Sequence, residues 1–172
     1  MFTNPLKNLK AFQLKEHDVV ADVGAGTGFY AIPAARIAHL GKVYAVDIQK
    51  DFLITIKNYA KEHKIHNLET IWGDGEQPGG TKIGEAVVDK VIASNIFSHI
   101  EAKNKLITEI RRILKIGGEV LVIDWIPEEH IFEGHKGVEM NELVKKLEGV
   151  GFKLERKIDA GAHHYGMILK RV

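Results

Sequence analysis

Two hydrophobic rhythms alternate along the chain. Short apolar runs occur at 19–23 (VVADV), 43–47 (VYAVD), 68–72 (LETIW), 90–93 (KVIA) and 119–124 (EVLVID). Each is strand-sized, rich in Val and Ile, and bounded by Gly, Asp or Asn. Between them apolar residues recur at helical spacing. The stretch 28–40 is rich in Ala and Ile and ends at Gly41, which reads as a C-cap. Phe52, Ile56 and Tyr59 make one stripe in 51–63, and Leu106, Ile110, Ile113 and Leu114 another in 100–115. Met140, Leu143, Val144 and Leu147 follow the same rule in 138–150, with Gly151 ending that helix.

Strand–helix alternation with nearly continuous apolar strands predicts a parallel sheet covered on both faces. The pattern changes after Gly151. Residues 152–158 (FKLERKI) alternate apolar and charged, AGAHHYG turns the chain, and 166–170 (GMILK) forms a last strand. Two strands joined by a short loop make an antiparallel hairpin. The whole reads β-α-β-α-β-loop-β-α-β-α-β-β, an α/β chain of one domain, 1–172, without repeat or linker. The long irregular stretches, 73–88 and 125–137, stand where loops of such sheets carry function.

Composition narrows the chemistry. The net charge of +1 leaves no global footprint for nucleic acid or acidic lipid. The chain has no apolar stretch of membrane-spanning length, and its first 18 residues lack a signal-peptide core, so a cytoplasmic location is expected. Cys is absent, which removes disulfides, thiolate nucleophiles and Cys-based zinc sites together.

The segment DVGAGTGFY, 22–30, follows the first strand. A strand, a Gly-x-Gly-x-Gly loop and a helix make a nucleotide-type cradle, because glycines allow close backbone approach and helix N-termini offer free N–H groups. The dinucleotide fingerprint G-x-G-x-x-G/A fits Gly24 and Gly26, but Phe29 stands at the third place. No G-K-[ST] follows, so the phosphate loop fails. Asp22, directly before the glycines, opposes a pyrophosphate and suits an ammonium or sulfonium ligand. Asp47, about 20 residues beyond the loop, stands where an acid accepts ribose hydroxyls. A ribose, no phosphate and a cationic tail are the properties of S-adenosylmethionine.

At this point the chain resembles the class I S-adenosylmethionine-dependent methyltransferases, over almost its whole length from Leu14. VVADVGAGTG is similar to the family's first motif, with Gly24, Ala25, Gly26, Thr27 and Gly28 in the cradle. VYAVDI resembles the second, with Asp47 on the ribose and Ile48 beside it. IWGDGEQP resembles the third; the likeness implies Asp74 on the adenine amino group and Gly75–Glu76 along the base. DKVIASNIFSHI and LKIGGEVLVIDW resemble the fourth- and fifth-strand motifs, with Asn95 and Ile96 along the cofactor's methionine part. KLEGVGF and HHYGMILKR are similar to the ubiquinone/menaquinone-type, small-molecule branch. The resemblance implies a Rossmann-like three-layer sandwich with a seven-stranded sheet, order 3-2-1-4-5-7-6, strand 7 antiparallel. It also implies a much reduced N-terminal lid.

Acceptor chemistry should sit at the carboxyl ends of strands 4 and 5. His99 is the candidate general base or substrate contact; the competing reading has it packing against the helix that starts there. Asp124 orients a substrate or caps a loop, and Trp125 is an apolar wall or plain core. His130 and His135 lie in the loop after strand 5. His135 is a substrate candidate, and the pair lacks further ligands at metal spacing, so no metal is expected. His163, His164 and Tyr165 lie in a turn that should face the active side, with His164 and Tyr165 as substrate candidates. SNIF replaces the motif that grips exocyclic amines, and the absent Cys excludes thiolate chemistry on cytosine and argues against the arsenite branch. The expected activity is therefore O- or C-methylation of a small molecule, with no nucleic acid partner and no membrane span. The alternatives are a silent cofactor-binding module and an NAD-dependent oxidoreductase. With a short lid, the 73–88 and 125–137 loops, a bulky substrate or a second subunit of a homo-oligomer would close the site.

Overall fold

The computed structural model describes residues 3–127 and 137–172. One seven-stranded sheet runs in the order β3-β2-β1-β4-β5-β7-β6. Its strands are β1 (Val19–Val23), β2 (Lys42–Asp47), β3 (Leu68–Trp72), β4 (Val88–Ser94), β5 (Leu114–Trp125), β6 (Phe152–Asp159) and β7 (His164–Arg171). The first five are parallel, and β7 runs antiparallel between β5 and β6.

Side chains alternate across the sheet and define two cores. On one face Ala21, Val91, Val120, Val122, Met167 and Leu169 pack with Leu106, Ile110, Leu143 and Leu147 of α4 (Lys103–Ile113) and α5 (Met140–Glu148). On the other, Val20, Ile92, Leu121, Ile123 and Ile168 pack with α1 (Pro5–Ala11), α2 (Ala31–Ile37) and α3 (Lys50–Glu62). This gives the three-layer sandwich, with the period-two pattern of each strand feeding both layers.

Four local expectations need correction. The helix foreseen at 28–40 covers only Ala31–Ile37, because Gly28 takes a left-handed backbone (φ +90°). Gly41 is not its C-cap; Ala38 is, and a Cβ on Gly41 would lie 2.0 Å from the Asp18 carbonyl. That glycine exists to let two strand entries approach. Leu114 leaves α4 for extended backbone and pairs with Val88, so β5 starts earlier than its 119–124 core. α5 is capped at Gly149, and Gly151 serves the turn into β6.

Helix α1 was not foreseen. Asn4 caps it by accepting from the Lys7 N–H, and Pro5 occupies the first turn. It docks by burying Leu9 and Phe12 against the α2 side of the sheet, and Lys7 pairs with Asp159 at 2.6 Å.

Candidate active site

A cavity of about 500 Å³ opens at the carboxyl ends of β1, β2 and β4. The strand order reverses there, on either side of β1, which is where open α/β sheets leave a crevice. Of the cradle and cofactor residues expected from sequence, Asp22, Gly24, Ala25, Gly26, Thr27, Asp47, Ile48, Asp74, Gly75, Glu76, Asn95 and Ile96 all line it. Gly28 does not. A Cβ there would meet Ile32 and Ile56 at 2.9 Å, so this glycine serves the seating of α2 on α3.

The glycine loop is tied to the end of β2. Gly24 and Ala25 donate their N–H groups to the Val46 carbonyl at 2.9 and 3.0 Å. Gly26 N–H donates to Asp47 Oδ2, and Gln49 N–H to Asp47 Oδ1, both at 2.8 Å. Gly24 (φ +77°) has no room for a side chain, since a Cβ would stand 2.6 Å from Ile96 Cδ1. Gly26 (φ +52°) faces open space.

Asp22 is 2% exposed, and its Oδ2 has no hydrogen-bond partner among the described residues. Burial pushes its carboxyl up to about 7; the Ala31 N–H opposes this and the nearby Asp47 charge reinforces it. Asn95 adds a second unpartnered acceptor. It holds a left-handed backbone (φ +52°), a conformation asparagine tolerates, and its buried Oδ1 accepts from nothing described.

The 73–82 loop is braced from below. Asp74 Oδ1 accepts from Glu76 N–H at 2.9 Å, and Glu76 Oε2 accepts from Ala102 N–H at the start of α4. Glu109, on α4, accepts from Gly79 N–H, Thr81 N–H, the Thr81 hydroxyl and Arg112. Burial alone would raise its carboxyl, yet Arg112 and these donors hold it down at about 2. This clamp was not foreseen, because Gly79 and Thr81 lie 30 and 28 residues from Glu109 in sequence.

His99 stands exposed at the cavity wall after β4, and among the described residues it is the one imidazole lining the cavity. The turn carrying it is set by Asp124, whose Oδ2 accepts from Phe97 and Ser98 N–H at 3.0 and 3.3 Å. Asp124 is thus the loop cap rather than a substrate contact. Burial holds its carboxyl above the ordinary range, against the donors Trp125, Ser98 and Phe97.

Three substrate candidates fall elsewhere. Trp125, His164 and Tyr165 do not line the cavity. Trp125 stacks on His164 with ring centroids 4.0 Å apart, beside the β5–β7 pairing. Tyr165 lies on the α5 face, its hydroxyl raised by burial and by the Asp124, Glu139 and Glu142 charges. The hairpin does turn at the cavity end of the sheet, but His164 faces Trp125 and Tyr165 faces the core under α5. His135, like His130, lies outside the described residues.

Sequence reasoning passed over Thr3, Tyr30 and Phe52 as site residues; they line the cavity, as does Ser94 at the end of β4. The signal for Tyr30 was present: an aromatic hydroxyl placed directly after the glycines, where the chain turns back toward the strand ends.

Among solved structures, an S-adenosylmethionine-dependent methyltransferase from Aquifex aeolicus superimposes with a TM-score of 0.89 at 26% identity, covering 99% of this chain and 91% of that one. A probable cobalt-precorrin-6B C(15)-methyltransferase (decarboxylating) of Methanosarcina acetivorans is 29% identical over 121 residues, 62% of this chain and 66% of that relative. A demethylmenaquinone methyltransferase of Alkalihalophilus pseudofirmus is 25% identical over 118 residues, 67% of this chain and 48% of that relative. The chain therefore spans just under two thirds of the length of the first of these curated relatives and about half of the second. The profile of the methyltransferase domain family matches residues 14–159. With the sheet order and the crevice at its reversal point, that match settles the lineage: this chain belongs to the methyltransferase domain family.

Proposed function

We propose that the protein transfers a methyl group from S-adenosylmethionine to oxygen or carbon of a small-molecule acceptor. The observation that carries the reading is the buried, unpartnered Oδ2 of Asp22 beside the glycine loop. A lone buried carboxylate is costly, and a cationic ligand in the cavity relieves it where a pyrophosphate would aggravate it. Asp47 retains lone pairs for ribose hydroxyls after accepting from Gly26 and Gln49. Ile48, 63% exposed at the rim, offers an apolar surface to the adenine, with Asp74 beside it for the exocyclic amine.

When bound, S-adenosylmethionine supplies an electrophilic methyl group on its sulfonium. The chain's contribution is positioning: the Gly24–Gly26 backbone permits close approach, and the Asn95–Ile96 turn walls the methionine side. His99 stands ready to take a proton from an acceptor hydroxyl or activated carbon. Relatives named for a C(15)-methyltransferase, a malonyl-[acyl-carrier protein] O-methyltransferase and a demethylmenaquinone methyltransferase support small acceptors at carbon or oxygen. The net charge of +1 and the SNIF sequence after β4 favour such acceptors over nucleic acid, and the same reading gives a cytoplasmic enzyme. Among the described residues no helix is long and apolar enough to cross a membrane.

Titration calorimetry with S-adenosylhomocysteine and with NAD tests the donor side, and methyl transfer into a metabolite extract tests the acceptor side. S-adenosylhomocysteine should bind and NAD should not. Binding without transfer to any acceptor would replace the enzyme reading with a cofactor-binding module. Binding that survives both Asp22→Ala and Asp47→Ala would overturn the site.

A further inference from the structure

The outer face of α3 carries a charge pattern that the cavity does not use. The inner face of this helix buries Leu53, Ile56 and Ala60. On the outside stand Lys50, Ile54, Lys57 and Lys61, all exposed. They follow the spacing i, i+4, i+7, i+11, so at about 100° per residue they fall within about 60° of one another. The stripe runs the length of the helix. The acids of α3, Asp51 and Glu62, lie about 90° or more from its centre. Among the described residues none of the three lysines pairs with a carboxylate, whereas Lys7, Lys42, Lys90, Lys115 and Lys146 do.

Trp72, at the end of the edge strand β3, joins the stripe at its first lysine. Lys50 Nζ lies 4.0 Å from the indole centroid, and Lys82 Nζ lies 5.2 Å from it. Lys82 also donates to the Trp72 carbonyl at 2.6 Å and, like Lys50, pairs with no carboxylate among the described residues. Trp72 is 53% exposed, and its indole N–H is spent on the Ile48 carbonyl at 3.0 Å. What it presents to solvent is therefore apolar. Ile54, 55% exposed, adds a second apolar side chain between the lysines.

We propose that this face, Lys50, Ile54, Lys57, Lys61, Trp72 and Lys82, docks the protein on an anionic lipid surface. Trp72 and Ile54 enter the boundary between headgroups and acyl chains, and the lysines stay among the headgroup phosphates. The complementarity is twofold. Unpaired cations meet anionic headgroups, and exposed apolar side chains leave water. The net charge of +1 is a sum over the molecule, whereas a membrane surface acts on the charges within a Debye length of it. A nucleic acid suits the face less well, because its cations include no arginine fork and Ile54 offers no ring for a base to stack on. Ile48 and Phe52 line the cavity, so the docked face borders its mouth. The docking is independent of the donor and acceptor readings above.

Co-sedimentation of the full chain with vesicles tests this, using phosphatidylcholine alone and phosphatidylcholine mixed with phosphatidylglycerol. The mixed vesicles should carry the protein down at low salt and release it as salt rises, and phosphatidylcholine alone should not. Each lysine at an anionic surface is worth about fivefold, so Lys57→Gln with Lys61→Gln should weaken binding by about 25-fold. Ile54→Ser should weaken it by about tenfold with the salt dependence unchanged, the scale of one buried aliphatic side chain. Both variants should keep the wild-type melting temperature and affinity for S-adenosylhomocysteine, because these side chains lie outside the cavity. Failure of wild type to bind the mixed vesicles, equal binding to phosphatidylcholine alone, or binding unmoved by the lysine variant overturns the docking face. Retention on polyuridylate at a salt concentration that releases the vesicles would assign the stripe to nucleic acid and overturn it as well.

Discussion

The Gly26 amide hydrogen points at Asp47 Oδ2 across 2.8 Å, so the tip of the glycine loop is anchored by the same carboxylate that closes β2. One side chain therefore shapes the loop and faces the ligand. Asp47→Asn loses the charge and can turn its amide N–H against Gly26. It should weaken S-adenosylhomocysteine binding by about tenfold or more, as expected for charge-assisted hydrogen bonds. Calorimetry reads the affinity, and a nearly unchanged melting temperature would separate this from unfolding.

The two neighbouring glycines should respond differently to one added methyl group. Gly24→Ala places a Cβ 2.6 Å from Ile96 Cδ1 on a left-handed backbone, so it should cost about 1–3 kcal/mol of stability as well as binding. Gly26→Ala meets nothing in the protein, so its stability cost should be about 1 kcal/mol, the left-handed strain alone. Its effect should fall on the ligand, whose approach the methyl group blocks. Melting curves and calorimetry on the two variants side by side decide this.

Asp22 couples pH to both stability and binding. Its carboxyl titrates at about 7 in the folded protein against 3.8 in the unfolded chain. Between those values the unfolded state has released the proton that the folded state still holds. Stability contributed by this group is therefore lost as pH rises from about 4 to about 7, on the order of 4 kcal/mol over the window. Asp22→Asn should melt higher than wild type at pH 8 and near it at pH 4. The same variant should bind S-adenosylhomocysteine less well, and wild-type affinity should rise with pH through about 7 as the carboxylate forms.

Glu109 should act at a distance. Its carboxyl is held at about 2 against 4.5 unfolded, so the stability it supplies is present above 4.5 and is lost as pH falls toward 2. Glu109→Gln removes the charge that holds Arg112, Thr81 and Gly79 together. A loss of about 3 kcal/mol is expected, the lower end for breaking a buried pair, because Arg112 retains contact with water. Affinity for S-adenosylhomocysteine should drop too, through loosening of Asp74 and Glu76. Chemical denaturation at pH 7 and pH 3 checks the first claim.

His99→Ala separates binding from transfer. If His99 takes the acceptor's proton, turnover should fall by about 10²–10⁴-fold while S-adenosylhomocysteine affinity stays within about twofold. Unchanged turnover would leave the imidazole as packing for the 95–99 turn.

The strand–helix alternation, the terminal hairpin, the cradle and the acids at the strand ends were legible because each depends on residues close in sequence, whereas the sheet order came from the resemblance to the methyltransferases. Asp22, Gly24, Gly26 and Asp47 announce a strand end, a tight loop and a second strand end. Gly28 misled for the same reason: it continues the glycine rhythm, yet its missing side chain serves Ile32 and Ile56. Trp125, His164 and Tyr165 were placed at the correct end of the sheet, but which way a strand-end side chain points is decided by packing. Helix α1 and the Glu109 clamp depend on pairings across many residues, and local rhythm carries no trace of them.

The hold of the β6 hairpin strand on α1 sets an order for assembly during synthesis. Lys7 pairs with Asp159, and Arg156 donates to the Ala11 carbonyl at 3.1 Å, joining positions 152 and 145 residues apart. A nascent chain that has emerged only as far as β5 already owns the glycine loop, Asp47 and the 73–82 brace. It lacks the β6 contacts of the first helix, while Leu9 and Phe12 can already pack on the α2 side of the sheet. The α1–β6 contacts are thus the last of that helix's fastenings to form, and a ribosome stalled before β6 would display α1 held on one side only.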